Sequence, residues 1–198
     1  MKALGRGSIA SYLEIALNVV WVVLWIAFGA VILGALAYVI VAALVSSGVL
    51  PATILEGSHG RMDNGIVRAS FELDAGLAWQ LVVPTLLAAL VAVAGGLIIV
   101  RRLKRLFESF RSAEPFRKEN ATHLRVIWVT MIVIELSRYG LMALTGALIA
   151  AFGEPPGTDW KFSVNVNLMT WAAILVLIVL AEVFREGARL REEQELTI

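Results

Sequence analysis

The chain has 198 residues, 59% of them hydrophobic and 17% charged, with a formal net charge of +1. Soluble domains are roughly half apolar, so this composition excludes an ordinary soluble globule and points to the bilayer as solvent. The lack of cysteine excludes disulfides, thiolate catalysis and cysteine-ligated metals, and two histidines, His59 and His123, are too few for most histidine metal centres.

In chain order, Ser11-Tyr12-Leu13-Glu14 has the spacing of a capping box and predicts a helix start just ahead of the first span. The apolar stretch that follows is far longer than the about 7–15 residues of a signal-peptide core, so it reads as a retained span. Trp21 and Trp25 are placed like interfacial aromatics, and Gly29, Ala30, Gly34 and Ala35 form a small-residue face suited to close helix packing. Ser46, Ser47, Gly48 and Pro51 open a loop. Gly57–Gly65 is polar and predicts a mobile tip, whereas Ile66–Asp74 carries the rough alternation of a strand.

The second span holds Pro84 near its start and Ala92-Val93-Ala94-Gly95-Gly96 near its end. Its helical pattern continues beyond the membrane: Leu103, Leu106, Phe107 and Phe110 form an apolar stripe, and Arg101, Arg102, Lys104, Arg105, Glu108 and Arg111 fill the other positions. Ser112–Pro115 ends this extension, and Asn120 predicts the N-cap of the third helix. Pro155-Pro156-Gly157 marks a turn in the next loop, and Lys161–Asn167 alternates as a strand. Phe71–Asp74 and Phe162–Asn165 each precede a tryptophan, Trp79 and Trp171, which suggests a weak duplication of a helix–strand–helix half. The two strands are able to pair; a lone two-stranded ribbon is marginal in water and would rest on the helix ends. The fourth helix runs on through Phe184–Leu190 into a charged tail closing with Leu196-Thr197-Ile198.

These elements predict an all-α membrane protein, a four-transmembrane-helix bundle forming a single integral membrane domain over residues 1–198. The expected spans are about 19–45, 77–100, 126–151 and 165–184, each near the length of about 20 residues that crosses a bilayer. Eight basic residues lie between Val100 and Val126, and thirteen of the seventeen in the chain fall at the two termini or in that central loop. The loops at 46–76 and 152–164 hold only Arg61, Arg68 and Lys161 against Glu56, Asp63, Glu72, Asp74, Glu154 and Asp159. By the positive-inside rule the termini and loop 101–125 are cytoplasmic, and the two acidic loops, with their small β element, are external.

The sharpest chemical feature is Glu135 with Arg138, ~15 and ~20 Å into the third helix from Arg125 at the α-helical rise. Each charge alone costs about 2.5–3.5 kcal/mol at a span centre, and the i, i+3 spacing lets them pair on one face. Such residues default to a functional hypothesis, a polar pocket, ion path or switch. The alternative is a self-neutralised pair that pins helix packing, with Ser137, Tyr139, Glu14 or Asn18 as partners. His59 and Asp63, at i, i+4 near Asp74, are a weak metal motif that ordinary loop composition explains, so no metal or cofactor is expected. The central basic stretch reads as topogenic charge in contact with anionic lipid, at about 1 kcal/mol per residue. Its aromatics lie on the apolar stripe rather than interleaving the charges, so direct nucleic-acid binding is not expected. No catalytic triad, Walker loop, dinucleotide fingerprint or metalloprotease motif is present, and no enzyme is expected.

Leu103–Arg125, with Pro115-Phe116, Glu119-Asn120 and Leu124-Arg125, resembles the YoaS-like family of four-span bacterial membrane proteins, a domain of unknown function. The tail, with Phe184, Gly187, Leu190, Glu193 and Leu196-Thr197-Ile198, is similar to that family's C-terminal pattern. The resemblance implies residence in the bacterial inner membrane and no known activity. It also implies frequent company with a small helix-turn-helix transcription regulator, and hence a non-enzymatic regulatory or signalling role, with Phe116, Asn120, Leu196, Thr197 and Ile198 as candidate partner contacts. The alternative is a small transporter, channel or immunity-type protein built on Glu135 and Arg138. Homo-oligomers fit either role.

Overall fold

Four long apolar segments need every backbone polar group satisfied internally when they enter lipid, and the helix does this within one segment. The structure, a computed structural model, describes residues 9–51, 58–63, 67–73, 78–111, 118–154, 159–162 and 166–195. Its helices are α1 (Ile9–Ser46), α2 (Trp79–Arg111), α3 (Lys118–Phe152) and α4 (Leu168–Glu195). All four are long and apolar enough to cross a membrane. At 1.5 Å per residue each outruns the ~30 Å hydrocarbon layer. Their apolar surface is largely open: α1 buries nothing in its most apolar window, and Ile26, Leu33 and Val39 are more than 60% exposed. A stripe of that kind has no reason to face water. The chain reads as a multi-pass membrane protein.

Local chemistry accounts for three of the helix ends. Gly48 takes a φ of +74° after α1, where the Ser47, Gly48 and Val49 amides donate to the Ala43, Val45 and Leu44 carbonyls. Gly153, at φ +87°, closes α3 by donating to the Ile149 carbonyl at 2.9 Å. Asn167 caps α4: its Oδ1 accepts from the Met169 and Thr170 amides at 3.1 and 3.2 Å. Two expected caps are corrected. Ser11 lies inside α1, and Asn120 lies inside α3, its amide spent on a contact described below. Pro84 interrupts the hydrogen-bond ladder in the second turn of α2, close enough to the helix start to be tolerated.

Three strands, β1 (Ser58–Asp63), β2 (Val67–Leu73) and β3 (Asp159–Phe162), form an antiparallel sheet in the order β1-β2-β3. The register pairs Ser58 with Leu73 and Asp63 with Arg68, then Val67 with Phe162 and Ser70 with Asp159. Two expectations differ here. The polar segment expected to be a mobile tip contributes β1, because a central β2 offers a ladder to either side. β3 begins two residues earlier than the alternation suggested, and Asn167, the end of that alternation, serves α4 as its cap.

The chain divides into two compact units. One comprises Met1–Ala27, Val93–Ile134 and Asn167–Ile198. Here Leu106, Leu124 and Ala181 bring α2, α3 and α4 together, with Trp128, Leu177 and Phe184 packed around them. Gly95 of α2 lies against Ile134 and Thr130 of α3, Gly96 lies against Leu24 of α1, and the Lys104 ammonium sits 5.2 Å from the Trp21 ring centre. The other unit comprises Phe28–Ala92 and Glu135–Val166. It holds the sheet, a T-shaped contact between Trp79 and Phe152 at 5.1 Å, and the Glu135 pair. Among the described residues, nothing lies within 4 Å of a side-chain carbon placed at Gly29 or Gly34 on the small-residue face of α1, and the close approaches within the chain belong to Gly95 and Gly96.

Candidate functional site

Two sites follow from placing the predicted residues. In the first, one helical turn of α3 brings Glu135, Arg138 and Tyr139 together. Arg138 Nη2 donates to Glu135 Oε1 at 2.7 Å, and the Tyr139 hydroxyl donates to the same oxygen at 3.4 Å. The guanidinium lies 5.4 Å from the Tyr139 ring centre. Glu135 is 4% exposed, so its carboxylate has exchanged water for an ion pair with Arg138 and a long hydrogen bond from the Tyr139 hydroxyl. Both partners come from its own helix, which makes the group self-neutralising before any other element packs on it. Ser137, an expected partner, is not among the groups that bond Glu135. Arg138 Nε is buried without a hydrogen-bond partner among the described residues, so the guanidinium retains one unused donor.

The second site lies at the basic end of α2, α3 and α4. Asn120, 1% exposed, donates from Nδ2 to Ser109 Oγ at 2.7 Å and so ties the first turn of α3 to the last turn of α2. Lys118 Nζ and Glu192 Oε2 meet at 2.7 Å and tie the start of α3 to the end of α4. That pair is solvent-exposed and worth at most about 1 kcal/mol; its importance is positional. Along α4, Arg185 pairs with Glu182, and Arg189 with Glu186 at 2.6 Å and Glu193 at 3.5 Å. Between α3 and α4, Lys118, Glu182, Arg185, Glu186, Arg189 and Glu192 line a cleft of about 810 Å³ together with Ala121, Trp128, Ile178 and Ala181. Phe116, Leu196, Thr197 and Ile198 lie outside the described residues.

His59 and Asp63 both fall on β1. The i, i+4 spacing that would bring them together on a helix separates their backbones by about 13 Å on a strand, which removes the basis of the metal reading. Among the described residues no group of three or more His, Cys, Asp or Glu is placed to hold a metal.

Residues 71–198, from the end of β2 through α2, α3, α4 and the tail, match the family model described as "Protein of unknown function (DUF2975)". The chain belongs to this family. Both sites of this DUF2975 protein fall inside the matched segment, whereas α1 and β1 precede it. No curated protein and no solved structure is significantly similar to the chain.

Sequence reasoning did not anticipate the cleft or the Lys118–Glu192 and Asn120–Ser109 ties. The α4 signal was present: Ile178, Ala181, Glu182, Arg185, Arg189 and Glu192 recur at helical spacing. Its partner helix was not readable from α4 alone.

Proposed function

We propose that this DUF2975 protein is a non-enzymatic regulatory or signalling protein of the bacterial inner membrane. In this reading both termini and the basic end of the helices are cytoplasmic, and the β-sheet is external. The basic end engages a cytoplasmic partner through residues 115–120 and 193–198. The observation that carries the proposal is the Lys118–Glu192 contact at 2.7 Å. It joins Lys118, within the Pro115–Asn120 motif, to Glu192, the residue just before Glu193. The Asn120–Ser109 bond adds α2 to the same assembly. Three helix ends tied by side chains make a stiff base for a composite binding surface, and preorganisation of that kind favours affinity. The resemblance to the YoaS-like family supplies the partner class, a small helix-turn-helix regulator restrained at or signalled from the membrane.

Co-purification of the full-length protein in detergent with a helix-turn-helix regulator encoded beside it tests this. Deleting Glu193–Ile198 or substituting Phe116→Ala is expected to weaken binding at least about tenfold, the loss typical of a buried aromatic anchor. No binding by the full-length protein, or binding untouched by either change, contradicts the proposal. The second reading, a small transporter or channel, draws on the unused Arg138 Nε donor, and solute flux in liposomes separates the two.

A further inference from the structure

We propose that the cleft between α3 and α4 binds the headgroup of one anionic phospholipid, with Arg125 receiving the phosphodiester. The inference is independent of any protein partner. The cleft is lined by four cations, Lys118, Arg125, Arg185 and Arg189, and three carboxylates, Glu182, Glu186 and Glu192. Each carboxylate is matched by one of the cations: Glu182 by Arg185, Glu186 by Arg189, Glu192 by Lys118. Glu193 also reaches Arg189, at 3.5 Å, so the charges in and beside the cleft balance and Arg125 is the lining cation outside these pairs. Arg125 has no hydrogen-bond or ion-pair partner among the described residues. Arg125 is therefore the cation open to an incoming anion, and the guanidinium fork suits two oxygens of a phosphate.

The rest of the cleft selects the source of that phosphate. A free anion needs only polar surface, yet the cleft is also lined by Ala121, Trp128, Ile178 and Ala181. Trp128 adds a ring of the kind that favours the membrane interface. On the adjoining flank of α4, Leu175, Val176, Val179 and Val183 form an apolar track, each more than half exposed. A lipid lays its acyl chain along such a track while its headgroup reaches the charged mouth. Basic pockets between transmembrane helices are an established location for anionic headgroups.

The test is native mass spectrometry of the detergent-solubilised full-length protein titrated with phosphatidylglycerol. Phosphatidylcholine and glycerol 3-phosphate serve as the neutral-lipid and lipid-free controls. One phosphatidylglycerol is expected to be retained in preference to phosphatidylcholine. Arg125→Gln is expected to weaken that retention about fivefold, the equivalent of one near-surface cation. Arg105→Gln, an exposed cation of α2 outside the cleft, leaves it unchanged. Retention unaffected by Arg125→Gln, or equal retention of phosphatidylcholine, overturns the proposal. Displacement of the lipid by an equimolar amount of glycerol 3-phosphate also overturns it, since it marks a site for free phosphate.

Discussion

Arg138→Met is expected to destabilise the folded protein by about 3 kcal/mol, the loss that follows when one member of a buried ion pair is removed and the other is stranded. Glu135 has few alternatives. Its side chain is 6% exposed, and its recorded hydrogen bonds come from Arg138 and Tyr139. Without the guanidinium only the long 3.4 Å contact from Tyr139 remains, too weak to hold a carboxylate away from water. Combining Glu135→Gln with Arg138→Met removes both charges and is expected to recover most of the loss, because the interior then has no ion to solvate. Unfolding in mixed micelles, followed by tryptophan emission, measures all three variants. If Arg138→Met alone unfolds like wild type, the pair is not the buried, self-neutralised unit described above. A double variant that is stable and fully functional assigns the pair to packing. One that is stable but inactive assigns it to function.

Gly95→Leu is expected to cost about 2 kcal/mol, within the range for overfilling a packed interface. A side-chain carbon at Gly95 would stand 2.5 Å from Ile134 Cδ1, 2.7 Å from Ile134 Cγ1 and 3.3 Å from Thr130 Cγ2. Ile134 must leave, or α2 and α3 must move apart. The effect is therefore coupled to Ile134: in an Ile134→Ala background the same leucine fills space instead of colliding, and the two changes together cost less than the sum of the singles. Gly29→Leu and Gly34→Leu provide the contrast. Among the described residues nothing lies within 4 Å of either position, so both are expected to stay near wild type. Equal destabilisation at Gly29 and Gly95 would mean that the small residues of α1 also sit against a helix, for instance in a second copy of the chain.

The contrast between Gly95 and Gly29 shows where the sequence stops being legible. Both lie in small-residue segments of apolar helices, and nothing local separates them. Only the presence of Ile134 and Thr130 opposite Gly95 does, and that is a tertiary fact. The four spanning helices were readable because length and apolarity are properties of each segment by itself. The Glu135–Arg138 pair was readable for the same reason, since i, i+3 on one helix fixes proximity. The Lys118–Glu192 and Asn120–Ser109 contacts join different helices, and no periodicity within one helix predicts them. Strand β1 was missed for another reason: Ser58–Asp63 is polar and lacks the alternation of a half-buried strand. A usable signal stood beside it. Asn64-Gly65, a dipeptide favoured in tight hairpins, lies between the paired residues Asp63 and Arg68. The cap was misplaced at Asn120 because a polar side chain that suits a helix end also suits a buried cross-link, here to Ser109. Asn167 shows the reverse, having been read as strand because it followed Val166 in an alternating run.

A regulatory role requires sidedness: the basic helix ends must share the compartment of any regulator, and the sheet must face the other way. Because the chain has no cysteine, single thiols report this directly. Ser47→Cys places one in the exposed turn after α1, and Thr122→Cys places one on the exposed first turns of α3. The measurement is labelling with a membrane-impermeant maleimide in intact and permeabilised cells. The account predicts that Ser47→Cys is labelled in intact cells and Thr122→Cys only after permeabilisation. The reverse pattern, or labelling of both from the outside, would contradict it.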